Sequence, residues 1–299
     1  LSLVEQPLGF DDSDVVAAFP GYQIKVPRLG RGTFKVAYYA ESDSGGRVVK
    51  ILTDSVDVQP EDDGSPSDAL PERLARELKG MALVDSEHVV KVLSTPEIVK
   101  IGSSHYIVYE EPFYPGGTLQ DRLRDGPLSS DDAEMLVGSL LAGVGDLWGQ
   151  QRIVHRDIKP GNIVYDENDK PVLLDLGIAL YTALSELTNS MEMSPRTTIY
   201  AAPEQFEMRR FAKIDFRTDL FQIGIVGYEA VTGKHPFLEA GVTSVEVYLD
   251  SLFSAEPVDM SHLACSDELK AVLTRLLAHR PNRRYRNVNE PLQILGLPA

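Results

Sequence analysis

Short β-branched and aromatic runs dominate the chain up to about residue 110, and helical spacing of apolar positions dominates beyond it. Tyr22–Leu29, Lys35–Glu41 and Arg47–Leu52 are such runs, broken by glycines and by Ser42-Asp43-Ser44-Gly45-Gly46. They predict three antiparallel strands joined by tight turns. Val89–Leu93, extended toward Lys100, and His105–Glu110 predict two more. Between the two groups, Leu74, Leu78, Met81 and Ala82 recur at helical spacing, with Pro71 in the first turn. After Gly116-Gly117 the pattern changes. Leu119–Leu123, Asp131–Gln150, Asp219–Thr232 and Asp267–His279 read as helices, the second capped by Ser129 or Ser130. Ile163–Tyr165 and Val172–Leu174 read as short strands. The pattern carries no internal repeat. The expectation is an α+β chain: a lead-in over 1–21 with a short helix around Asp14–Phe19, a β-rich part over 22–112, and a mostly helical part over 113–299.

Charge and composition change this picture in three places. Thr53–Pro71 carries Asp54, Asp57, Glu61, Asp62, Asp63 and Asp68, three prolines and no basic residue. That stretch is too polar to bury and is expected to be a mobile acidic insertion. The net charge of −16 disfavours nucleic acid and anionic membrane surfaces as partners. It is compatible with a basic partner, or simply with solubility. The lone Cys265 excludes an intramolecular disulfide and suits a reducing, cytoplasmic compartment. The sequence contains no apolar run long enough to span a membrane, and its first residues do not read as a signal peptide.

The candidate chemistry is concentrated in His155-Arg156-Asp157-Ile158-Lys159-Pro160-Gly161-Asn162, followed by Asp175-Leu176-Gly177. Asp157 is a candidate base or orienting group for an attacking hydroxyl. Lys159 is placed to offset charge on a transferred phosphoryl group. Asn162 and Asp175 offer hard oxygen ligands for Mg²⁺, with Mn²⁺ as an alternative ion. His155 reads as a packed spacer. Earlier, Gly30 and Gly32 sit between two strands, where the missing Cβ lets backbone N–H groups approach phosphate. Lys50 lies in the apolar run Val48-Val49-Lys50-Ile51-Leu52 and needs a buried acid as partner. Glu77, mid-helix beside Leu78, is favoured over Glu72, which the helix start accommodates by itself.

With these residues in place the chain resembles a eukaryotic-type (Hanks-type) Ser/Thr protein kinase domain, in a style similar to bacterial members, over about residues 22–290. The octapeptide matches the catalytic-loop signature and Asp175-Leu176-Gly177 is a D-F-G variant. Ala202-Pro203-Glu204, Asp219, Tyr228-Glu229, Thr232-Gly233-Lys234-His235-Pro236-Phe237 and Arg280-Pro281-Asn282-Arg283-Arg284 follow in the family's order. The resemblance implies a two-lobe fold, with an N-lobe over 22–112 and a C-lobe over 113–299. It implies that Gly30, Gly32, Thr33 and Val36 cover ATP, and that Val48 and Val164 flank the adenine. Lys50 would contact phosphate and pair with Glu77. The hinge would run near Tyr109–Phe113, with Glu111 reading the adenine edge; Glu110-Glu111-Pro112 aligns in two ways. Glu204 would pair with Arg284, Asp219 would anchor the catalytic loop, and Thr197 would bridge Asp157 and Lys159. Arg156, before the base, is of the kind that binds a phosphate on the activation segment. The sequence departs from the family at the third loop glycine, which is Lys35, at Leu176 for Phe, and at Val48 for Ala.

The implied activity is transfer of the ATP γ-phosphate to Ser or Thr hydroxyls of protein substrates, including the chain itself, in signalling. Two other readings are a pseudokinase-like binding or scaffold module and a small-molecule phosphotransferase. Intact Lys50, Asp157, Asn162 and Asp175 weigh against the first. Lys159 and Ala202-Pro203-Glu204 weigh against the second.

Overall fold

The computed structural model of the protein describes residues 8–32, 35–43, 45–56, 83–174, 198–206, 214–239, 241–242, 244–254 and 257–298. They form two compact units. The first takes the described residues up to Leu83 together with Lys91–Phe113; the second takes Val84–Val90 and the described residues from Tyr114 onward. The helix predicted around Leu74–Ala82, with Glu72 and Glu77, lies outside the described residues, as do Thr33, Asp175–Gly177, Thr197 and the insertion from Asp57.

In the first unit, alternation makes the sheet. Strands β1 (Gln23–Arg31), β2 (Lys35–Ser42), β3 (Gly45–Leu52), β4 (Glu97–Ile101) and β5 (Ser104–Pro112) are antiparallel in the order β1-β2-β3-β5-β4. On one face Val36, Tyr38, Ala40, Val49, Ile51, Tyr106 and Val108 form a buried core. Period-2 geometry turns Val48 and Lys50 to the other face. The core face is closed by α1 (Asp12–Ala18), which contributes Val15, with Phe10 and Phe19 at its two ends. This helix starts two residues before the predicted one, and the reason is the acidic cluster. Asp11 accepts from the Ser13 and Asp14 amides (2.8 and 3.0 Å), and Asp14 accepts from the Asp11 amide (3.0 Å), a reciprocal cap. Tyr38 Oη donates to Asp12 at 2.7 Å, tying the helix to the sheet.

The expected strand Val89–Leu93 does not form; the edge strand is Glu97–Ile101, which opens just after Pro96. Val89 and Val90 instead serve the second unit. Val90 packs with Val164 and Val172, and its amide donates to the Leu173 carbonyl at 3.0 Å. Two buried valines are equally good strand formers and loop anchors, and packing decided between them.

The second unit is helical around one small hairpin. It holds α2 (Leu119–Asp125), α3 (Ser130–Gln151), β6 (Ile163–Tyr165), β7 (Pro171–Leu173), α4 (Phe216–Thr232), α5 (Val245–Leu252), α6 (Asp267–Leu276) and α7 (Asn289–Ile294). Ser129, not Ser130, caps α3, accepting from the Asp132 amide. Ala133, Leu136, Val137, Leu140, Leu141, Val144 and Leu147 form the buried stripe of α3. It packs on α4, which is buried almost all round and also meets α6. Gly227 permits that crossing, because a Cβ there would lie 2.6 Å from Leu273 and 2.8 Å from Val137.

Candidate active site

The catalytic-loop segment leaves α3 at Arg152, whose left-handed backbone (φ 56°) ends the helix. It then crosses the start of α4, where Asp219 is fully buried. Its two carboxylate oxygens accept the His155 amide (2.9 Å) and the Arg156 amide (2.8 Å), as the resemblance implied. Burial pushes the Asp219 carboxyl up to about 7, against the two amide bonds, which pull it down. One turn along α4, Gln222 accepts the Ile158 amide (3.0 Å) and donates to the Arg156 carbonyl (3.0 Å). The sequence reading missed Gln222. Its signal was available: it lies three residues after Asp219, on the same helix face.

Held this way, the loop presents Asp157, Lys159 and Asn162 together. Lys159 Nζ lies 2.8 Å from both carboxylate oxygens of Asp157. Asn162 Nδ2 donates to the Asp157 backbone carbonyl and to its Oδ2, each at 2.8 Å. Asn162 ends the 3₁₀ turn Pro160–Asn162, and the bonds to Asp157 use its Nδ2 rather than its Oδ1. That leaves a neutral oxygen of the kind a hard divalent cation takes, so the side chain fits a metal-ligand role. His155 is buried and is a spacer: one ring nitrogen meets the Leu174 carbonyl (2.8 Å) and the other accepts the Asp157 amide (3.3 Å). Leu174 also donates its amide to the Asn162 carbonyl (2.8 Å), so the residue before Asp175 is bound to the loop twice. Val164 is buried on β6 with Val90 and Val172.

The segment Thr198–Phe206 is anchored separately. Glu204 and Arg284 form a forked pair at 2.6 and 2.9 Å, and the remaining Arg284 donors reach the Ala278, Arg217 and His279 carbonyls. Tyr200 Oη donates to Glu229 (2.8 Å), and Tyr248 Oη to the Ala201 carbonyl (2.6 Å). His235 meets the Ile199 carbonyl at 2.9 Å. Burial holds this imidazole down to about 4, so it is neutral at physiological pH. These anchors went unread in the sequence, where they are separated by 29 to 47 positions.

In the first unit, Lys50 lies on β3 opposite Tyr109, and Val48 opposite Glu111. Glu110 points to the other face, where it binds Arg47 (2.5 Å) and Tyr22 Oη (2.6 Å). Glu111 lies on the Lys50 face, its Oε2 3.0 Å from Lys50 Nζ. Val36 is buried on β2, and Lys35 opens that strand, its carbonyl accepting the Gly32 amide at 2.9 Å. Gly30 and Gly32 have no left-handed backbone, and among the described residues a Cβ at either would crowd nothing. By contrast, a Cβ on Gly116 would lie 2.6 Å from the Tyr165 carbonyl.

A two-unit α+β fold, with a five-stranded antiparallel sheet in one unit and a loop gathering Asp, Lys and Asn in the other, defines the class. The chain matches the protein kinase domain family over residues 23–293 and belongs to it. Members of this family use ATP and divalent metal. The chain is 31% identical over 223 residues to the serine/threonine-protein kinase PknB of Mycolicibacterium smegmatis, covering 73% of this chain and 34% of that protein. It is 28% identical over 263 residues to PknA of Corynebacterium glutamicum, covering 88% and 53%. It is 30% identical over 275 residues to a probable serine/threonine-protein kinase of Streptomyces coelicolor, covering 88% and 38%. The chain thus spans about a third of the length of the PknB protein it matches. Among the described residues, no helix is long and apolar enough to cross a membrane.

Proposed function

We propose that this protein transfers the γ-phosphate of ATP to Ser or Thr hydroxyls of protein substrates, itself included. The observation that carries the reading is the junction of Asp157, Lys159 and Asn162 on one loop, each within 2.8 Å of another. Asp157 orients the acceptor hydroxyl and takes its proton. Lys159 neutralises charge that develops on the phosphoryl oxygens. Lys50 holds the α and β phosphates, with Glu77 as its second acid. Gly30, Gly32, Thr33 and Val36 cover the nucleotide; at Gly30 and Gly32 the fold itself makes no demand for glycine, which supports a requirement set by close approach of a ligand. Val48 and Val164 flank the base, and Glu111 lies where β5 runs toward it. Asn162 and Asp175 would hold Mg²⁺, which would supply positive charge to offset that of the phosphates. Lys159 supports a Ser/Thr acceptor, and the similarity to serine/threonine-protein kinases points the same way. A reducing cytoplasm, where ATP is abundant, suits a chain with the single Cys265.

Mass spectrometry of the purified protein after incubation with Mg-ATP tests this directly. Phosphoserine or phosphothreonine is expected on the wild type, and the signal should vanish in Lys50→Met, Asp157→Asn and Asp175→Ala. Undiminished phosphorylation in any of these variants, or none in the wild type and none on added protein substrates, would reject the assignment.

A further inference from the structure

Lys50 was expected to find its acid on the helix that carries Glu77. Another acid already meets it inside the sheet. β3 and β5 are antiparallel neighbours with Lys50 opposite Tyr109 and Val48 opposite Glu111. Lys50 and Glu111 are therefore diagonal neighbours on one face, a spacing that long side chains can close. The ammonium and the Glu111 carboxylate lie 3.0 Å apart, with side chains 6% and 3% exposed. Both residues stand on inner strands: β5 is flanked by β3 and β4, and β3 by β2 and β5.

We infer that Glu111 is a positioning residue for Lys50, fixing the ammonium from the adjacent strand so that its remaining donors face the nucleotide phosphates. An ammonium has three N–H donors. Glu111 occupies one direction and leaves two, enough for phosphate and for a second acid. The diagonal contact holds the ammonium at one place on the sheet, so its remaining donors keep a fixed direction. The role differs from the one the resemblance assigns to this part of β5, where backbone groups read the adenine edge. The inference rests on Lys50 serving the phosphates.

The test uses the full chain and four proteins: wild type, Glu111→Gln, Lys50→Met and the double variant. Thermal melting reads the pair, and isothermal titration with Mg-ATP reads its use. Glu111→Gln should lower the melting temperature of the wild type yet raise that of Lys50→Met, because in the latter it removes a stranded carboxylate. In the Lys50-containing background, Glu111→Gln should also weaken Mg-ATP binding by about tenfold or more. Additive melting losses would overturn the pairing. A Mg-ATP affinity within about twofold of wild type would overturn the positioning role. Should the wild type itself bind no Mg-ATP, the phosphate assignment of Lys50 fails, while the melting cycle still decides the pair.

Discussion

Arg284 is the residue whose chemistry is most completely accounted for. It is buried to 1% exposure, and its five N–H donors all find acceptors, two of them on Glu204. A lysine could supply the charge but not the fork. Among the described residues, Arg284→Met would leave the buried Glu204 carboxylate with the Thr218 hydroxyl, 2.8 Å away, as its remaining side-chain donor. Breaking such a pair costs about 3–5 kcal/mol. Urea titration should show a loss of that size, and a loss below about 1 kcal/mol would place Arg284 among weak surface pairs. Individual residues were the most legible part of this chain. Asp157, Lys159 and Asn162 could be named because their types and spacing are dictated by chemistry, and Glu204, Asp219 and Arg284 because the family resemblance implied them. What could not be named were the partners that only folding supplies: the three carbonyls around Arg284, the Gln222 bonds to the loop, and Glu111 beside Lys50. The last stayed open because Glu110 and Glu111 are adjacent and chemically alike. Only the strand register, which turns one to Arg47 on the core face and the other to Lys50, tells them apart.

At the scale of elements, the segment Thr198–Phe206 owes its placement to aromatic and polar contacts from α4, α5 and the turn between them. His235 sits at their centre, with ring centroids of Tyr200, Tyr248 and Phe237 at 5.4, 5.6 and 6.1 Å. Its ring meets the Ile199 carbonyl and accepts the Phe237 amide, an arrangement that needs the neutral form with the proton on Nε2. The folded-state value is depressed to about 4 from the usual 6.5. The unfolded chain therefore binds more protons between these values, and stability must rise with pH there. The contribution is fully present above pH 6.5 and is lost as the pH falls toward 4, to a total of about 3 kcal/mol. Urea midpoints measured between pH 4 and 7 should show a steeper slope for the wild type than for His235→Phe. Parallel slopes would show that protonation of His235 does not oppose folding. Elements were legible where a period ran long enough, as in α3; in α1 the reciprocal cap at Asp11 moved the start two residues ahead of the expected one. The failure at Val89–Leu93 has a plain cause. Apolar β-branched residues report burial, and a short run of them does not say which core they enter.

At the scale of the whole molecule, each unit has its own core, and the chain enters the second unit twice. Val84–Val90 belongs to it, although it precedes β4 and β5 of the first. The segment is bound on both sides of Leu173, whose amide donates to the His88 carbonyl (2.8 Å) while its carbonyl accepts the Val90 amide (3.0 Å). Gly143 of α3 lets it lie close, since a Cβ there would stand 3.1 to 3.3 Å from Val89 and His88. The hairpin β6–β7, which follows Asn162 and leads toward Asp175, is therefore finished by residues from far upstream. A cut at the seam between Phe113 and Tyr114 would remove them. Burial of Val84, Val89 and Val90 contributes on the order of 5 kcal/mol, at about 1.5–3 kcal/mol for each fully buried side chain. A fragment of residues 114–299 should thus unfold at markedly lower urea than one in which residues 83–91 are tethered ahead of Tyr114 by a flexible linker. Its Leu173 amide should exchange with solvent deuterium far faster than in the full chain. Equal midpoints for the two fragments, with Leu173 equally protected, would mean that the second unit completes its hairpin alone. In the full chain, loosening the same contact, as by Val90→Ser, should reduce phosphoryl transfer through the hairpin while leaving Lys50 and its strand untouched.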